Sequence, residues 1–260
     1  MPSFAVSIGL LTLVQALIVL LPRPRRLPAL ERLRSGVWAS APALSIVAFV
    51  LVVDAVPAAA DFLTYLALAA VPLLAAIALG AGVRGSRAWL APAAAVLFAL
   101  AWANRGGLAG EGAAVALEAL SCVTLAILLV AVTPVRLVKL GIVATAAVDT
   151  WFVASNHLQG PNGALNGVVP PAHLPQLQSA PFGTAVIGYE DLFVAALLGA
   201  LLAARPVLAW RGAVLAGVIG LAFDLLFLFA RELPATVPIA LTLLVLEAWP
   251  LARVRRPAAV

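Results

Sequence analysis

Apolar runs close to the roughly 20 residues needed to cross a hydrocarbon core recur along the whole chain, separated by short polar stretches. They predict nine helical segments, at about 3–21, 37–57, 62–82, 88–104, 113–132, 137–156, 183–204, 212–230 and 233–250. No stretch alternates polar and apolar residues with the period of two that a membrane β-barrel needs. The expected class is therefore an all-α membrane protein. Spans two to five are rich in Ala, Val and Leu, and their small residues let helices approach closely. The longest connection, His157–Pro181, holds five prolines and three glycines and is expected to be a lid or binding loop.

Composition sharpens this picture. Of 260 residues, 64% are apolar and 10% charged, with a mean hydropathy of +1.12. A soluble domain would carry about 25% charged residues. The basic residues sort by side: Arg23, Arg25, Arg26, Arg32, Arg34, Arg84, Arg87, Arg136, Lys139, Arg205, Arg211, Arg253, Arg255 and Arg256 fall on one face of the nine-span plan, and only Arg105 and Arg231 on the other. That 14-to-2 split fixes N-out/C-in by the positive-inside rule. A sequence pI near 10.6 thus reflects topology in a lipid bilayer, not nucleic-acid binding. The first span has no basic flank and reads as a retained helix. One multi-pass membrane domain over residues 1–260 is expected, with spans one to five in 1–136 and spans six to nine in 137–260. No internal repeat is visible, which weighs against an inverted-repeat transporter. Cys122 is the single cysteine, and no metal-ligand cluster or phosphate-binding loop occurs.

Seven acidic residues fall inside the spans: Asp54, Glu118, Asp149, Glu190, Asp191, Asp224 and Glu247. Asp54 and Glu247 lie near span ends and reach the headgroups. Glu118, one turn into its span, is expected to pair at a helix interface, and Asp224 with Arg231 or another helix. Asp149 and Asp191 differ. Counted along consecutive antiparallel helices at roughly 1.5 Å per residue, both lie about 18 Å from the same membrane side. Carboxyls in hydrocarbon face a partner or a wet cavity, so two at one depth point to a shared site that divides general acid and general base work. Thr145, Asp149 and Asn156 are expected to form one polar stripe. The last span opens with Pro234, Ala235, Thr236 and Pro238, and two prolines four apart are expected to leave backbone carbonyls free for an extended substrate.

Together these places resemble the GxGD-type intramembrane aspartyl proteases, the presenilin and signal peptide peptidase superfamily. Ala147–Val153 resembles the family's Tyr-Asp helix, Ile187–Phe193 its Gly-x-Gly-Asp helix, and Pro234–Ala235–Thr236 its Pro-Ala-Leu element. Nine spans with aspartates in the sixth and seventh match the family plan, and N-out/C-in is the signal peptide peptidase topology. Three departures stand out: Val148 replaces tyrosine, Thr236 replaces leucine, and Glu190 takes the place of the second glycine. The resemblance covers roughly residues 137–250.

The resemblance implies a presenilin-like bundle that hydrolyses single-span transmembrane peptides with catalytic Asp149 and Asp191. Gly188, Tyr189, Glu190, Pro234, Ala235 and Thr236 would contact substrate, with no metal or organic cofactor. The Ala- and Arg-rich composition with one lysine points to a bacterial plasma membrane. Two other readings stay open. One is a catalytically impaired relative acting as a chaperone or scaffold for membrane helices. The other is a proton-coupled permease using Asp149, Asp191 and Asp224 as a relay.

Overall fold

A computed structural model describes residues 2–25, 27–56, 58–230 and 232–254. Arg26, Arg231, Arg255 and Arg256, counted above for topology, lie outside the described residues. Eleven α-helices are present among the described residues: α1 (Phe4–Ile18), α2 (Pro28–Glu31), α3 (Ala41–Ala55), α4 (Ala58–Ile77), α5 (Ala93–Ala103), α6 (Leu108–Val132), α7 (Val135–Ala154), α8 (Gln159–Gly167), α9 (Tyr189–Leu202), α10 (Pro206–Asp224) and α11 (Val237–Val254). One antiparallel hairpin joins β1 (Ser179–Phe182) to β2 (Ala185–Gly188).

Five helices are long and apolar enough to cross a membrane by length and composition: Gly36–Ala55, Ala58–Gly82, Leu108–Val132, Val135–Ala154 and Pro206–Leu228. The segments Phe4–Ile18, Ala88–Ala103 and Val237–Ala248 are shorter apolar helices. The chain is a mostly helical membrane protein. Its outer surface agrees, because side chains such as Leu73 and Val96 are 67% and 68% exposed. A water-soluble chain would bury apolar area on this scale.

The main core is built from α1, α6, α7, α9, α10 and α11, with Leu11, Ile18, Val123, Ile142, Leu197, Leu198 and Ile239 fully enclosed. A second cluster joins α4, α5 and α6 through Val71, Ala94 and Leu117. Helix α6 belongs to both and is the central post. Helix α9 is almost as enclosed, burying residues around its whole circumference from Asp191 to Leu202. Gly199 permits this, since a Cβ there would lie 2.6 Å from the Val19 carbonyl oxygen of α1. Small residues therefore set the depth at which the Asp191 helix docks.

Three segments depart from the hydropathy reading. The segment beginning at residue 183 is not helical at its start. Residues 185–188 form β2, and α9 begins only at Tyr189. Gly183, at φ +63°, opens a two-residue turn, the geometry a tight hairpin requires. Branched Val186 and Ile187 favour the strand that follows. Second, the connection after α7 is not structureless, since it contains α8, β1 and the turn. Helix α10 also begins at Pro206, six residues before the expected 212, because proline is pre-set for the first helical position.

Candidate active site

The sequence singles out two aspartates, and each is buried on its own helix. Asp149 lies in the second half of α7 and is 4% exposed, while Asp191 is the third residue of α9 and is 8% exposed. Helices α7, α9 and α11 pack against one another. Glu190, next to Asp191, adds a third carboxyl at the first turn of α9. The two helices thus bring the predicted pair to one locality, together with a third acid.

Each aspartate is held by one oxygen. The buried Thr236 hydroxyl donates to Asp149 Oδ2 at 2.6 Å. The Gly188 N–H donates to Asp191 Oδ2 at 3.1 Å, so Asp191 reaches back over the first turn of its helix. A carboxylate there satisfies an otherwise free N–H and meets the positive end of the helix dipole. Glu190 folds its carboxyl back against Gly188, where a Cβ would collide with it. A side chain at 188 would have to displace the flexible end of Glu190.

The element Pro234–Ala235–Thr236 stands beside Asp149, but its carbonyls are not free. The Pro234 carbonyl accepts from Val237 N–H at 3.1 Å and that of Thr236 from Ala240 N–H at 3.1 Å. The Ala235 carbonyl accepts from Gln15 Nε2 at 3.2 Å. The same Gln15 amide donates to the Asp191 carbonyl at 3.1 Å. One buried side chain from α1 therefore ties the start of α9 to the approach to α11. The expectation of unpaired carbonyls here is corrected. The proline-spaced turn closes on itself, and the remaining acceptor is met by a distant amide.

The hairpin is pinned at its turn, where Gly183 N–H donates to Glu111 Oε2 at 2.7 Å and Thr184 N–H to Ser7 Oγ at 3.3 Å. At its other end Tyr189 points into α6, its hydroxyl 2.7 Å from Ser121 Oγ. The Ser121 hydroxyl is also 2.7 Å from the Glu118 carbonyl, and the Cys122 thiol lies 3.6 Å from the Tyr189 carbonyl. The expected pairing of Glu118 is not seen. Its side chain is fully enclosed and neither carboxyl oxygen has a hydrogen-bond partner among the described residues. Tyr189 thus anchors the strand–helix junction, and β2 leads straight into the Asp191 turn.

The polar stripe on α7 is shorter than expected. The Thr145 hydroxyl is spent on the Gly141 carbonyl at 2.8 Å. The helix ends at Ala154, and exposed Asn156 lies beyond it at φ +57°. Asp54 is exposed at the end of α3, and Glu247 pairs with Lys139 at 2.7 Å on the surface. Asp224 accepts from the Thr12 hydroxyl at 2.8 Å, whereas its other expected partner, Arg231, lies outside the described residues.

Compared with protein-family models, curated proteins and solved structures, the chain matches none. The site therefore rests on its own geometry. Four residues of that geometry, Ser7, Thr12, Gln15 and Glu111, went unread in the sequence. Three of them are the polar members of an otherwise apolar α1. A lone polar side chain in a span marks a packed face, and that signal is legible in the sequence once the helix is drawn.

Proposed function

We propose that the chain is a nine-span, N-out/C-in intramembrane aspartyl protease that hydrolyses peptide bonds of single-span membrane substrates. One observation carries this reading: two buried carboxyls, Asp149 and Asp191, stand on helices α7 and α9 that pack against each other, each accepting a hydrogen bond at Oδ2. The order of the motif-like segments along 137–250 supports it as well. In the mechanism, one protonated aspartate donates a hydrogen bond to the scissile carbonyl while the other takes a proton from water. The hydroxide so formed adds to the carbonyl carbon. The tetrahedral intermediate then collapses as the leaving nitrogen gains a proton. The two acids share their protons as one unit, so the roles belong to the pair.

Substrate has a place to become extended. Among the described residues the sheet has two strands, and β2 pairs only with β1. Its second edge adjoins the Asp191 turn; Gly188 N–H is already given to Asp191 and Thr184 N–H to Ser7, so an unwound peptide would add through the main chain between them, at Val186. Peptide bonds inside an intact helix are shielded, so strand addition also exposes the bond to be cut.

Thr236 stands where the resembled family has leucine, and Val148 where it has tyrosine. The Thr236 hydroxyl supplies Asp149 with a donor that valine cannot. Thr236→Val should therefore lower kcat roughly tenfold at little change in KM, while Thr236→Ser retains most activity, in a detergent cleavage assay. Equal activity in all three would make the contact a packing feature only.

The direct test is purified protein in detergent with a generic transmembrane peptide, with and without a transition-state aspartyl inhibitor. Two new termini from one internal cut, blocked by the inhibitor, are expected. An intact peptide after prolonged incubation overturns the assignment. A scaffold for membrane helices is the second reading, favoured by Glu190 lying against Gly188 and by the capping role of Asp191. It predicts peptide binding that survives loss of either aspartate.

A further inference from the structure

Beside Asp191 lies a cavity of about 60 Å³, bounded by α1, β2, α9, α10 and the approach to α11. Its polar lining comes from Thr12, Gln15, Asp191 and Asp224, and the rest of the wall is apolar, including Ile8, Ile187, Phe223 and Phe227. Asp149 is not among the lining residues. A buried water occupies on the order of 10–15 Å³ by this kind of measure and needs two to four polar partners, so the cavity has room for a few waters and the groups to hold them. It is too small for a bulky substrate side chain.

Its depth is graded. Gln15 and Asp191 lie at the buried end, while half-buried Asp224 closes α10 at the other. The Thr12 hydroxyl fixes one Asp224 oxygen at 2.8 Å. A half-buried carboxyl in a mostly apolar bundle is costly unless it is hydrated or paired, and among the described residues only the Thr12 hydroxyl bonds it, at one oxygen. Gly220 also lines the cavity, and a Cβ there would press on Thr12 Cγ2 at 2.5 Å. The bare glycine therefore lets α1 and α10 close on each other at this wall of the cavity.

We propose that this chamber supplies water to the aspartate pair, holding it against Asp191 and admitting it at Asp224, with Thr12 as the residue that positions Asp224. The supply role rests on the proteolytic reading, whereas hydration of the chamber does not. Water then reaches the pair from the Asp191 side, between α1 and α10, while a peptide added to β2 approaches from the hairpin. The hydrolytic water need not be displaced by, or compete with, the substrate chain.

The test separates the two claims. In a Cys122→Ala background, single cysteines are placed at Thr12 and Asp224, with Leu11→Cys as a buried control and Leu13→Cys as a control on the outer face of the same helix. Folded protein is exposed to silver ion in water, then unfolded and alkylated. Thr12→Cys and Asp224→Cys should be protected from alkylation, and the two controls should not. Thr12→Cys reacting no faster than Leu11→Cys means a dry cavity and overturns the proposal. For supply, Asp224→Asn, which still binds water, should keep most activity, while Asp224→Leu should lower kcat roughly tenfold with KM unchanged. Equal kcat in wild type, Asp224→Asn and Asp224→Leu overturns the supply role. Silver protection at Thr12→Cys in a protein that cleaves nothing overturns the proteolytic reading and leaves the hydrated chamber standing.

Discussion

Asp149→Asn and Asp191→Asn are each expected to reduce cleavage of a transmembrane peptide by at least about a thousandfold, within the range that positioned acid–base groups supply. Asparagine is the informative replacement. At 149 its amide oxygen still accepts from the Thr236 hydroxyl, and at 191 it still accepts from Gly188 N–H, so both contacts that hold the side chains survive. Asp191→Ala removes the cap as well and is expected to cost a further 0.3–1 kcal/mol or so of helix stability. Loss of activity in the alanine variant alone is therefore ambiguous between chemistry and folding. Loss in both asparagine variants, with thermal unfolding in detergent unchanged, assigns the chemistry to the carboxyls. Retained cleavage in either one reduces that residue to a cap or a helix tie and leaves the scaffold reading in front.

Glu190 bears on the same experiment. The family resemblance places a glycine at this position, and the sequence left open whether the carboxyl enters the cleft. In the structure it folds back over Gly188, at the same helix turn as Asp191. A third acid at the pair is chemistry that the resembled motif does not carry.

Hydropathy made the long helices legible because each has to satisfy its own backbone in lipid, and that leaves a long apolar run in the sequence. Asp149 and Asp191 were legible for the same reason in reverse, as charges where none is tolerated without cause. The hairpin was not legible. Ala185, Val186 and Ile187 continue without a break into the apolar α9, and only Gly183 and branched side chains signal a strand. The proline-flanked element reads in the sequence as the opening of the last span with free carbonyls, but its contact with Asp149 and its bonding were not legible. Its proline spacing reports missing N–H donors, and says nothing of a glutamine some 220 residues away supplying one. Long-range side-chain bonds of this kind have no periodic signature.

That glutamine yields the other large expected effect. Gln15→Leu keeps the apolar volume of the site but removes both amide hydrogens, one to the Asp191 carbonyl and one to the Ala235 carbonyl. The Asp191 carbonyl sits in a helix and has a second partner within it. The Ala235 carbonyl has no other donor among the described residues. Losing the bond to this half-buried acceptor, which lines the cavity beside Asp191, costs about 0.5–1.5 kcal/mol, which lowers the unfolding temperature measurably. Catalysis should fall further than stability. Gln15 is the one side chain bonded to both the turn that carries Asp191 and the segment whose Thr236 holds Asp149, so without it the two carboxyls are no longer fixed to each other. A displacement near 1 Å between reacting groups can cost roughly a hundredfold. The expected result is kcat down by that order at a temperature where the variant is fully folded, with KM little changed. Leu11→Ala on the same helix serves as the control that lowers stability without touching the pair. If Gln15→Leu shows only the loss of stability that Leu11→Ala shows, Gln15 braces the fold and does not align the acids.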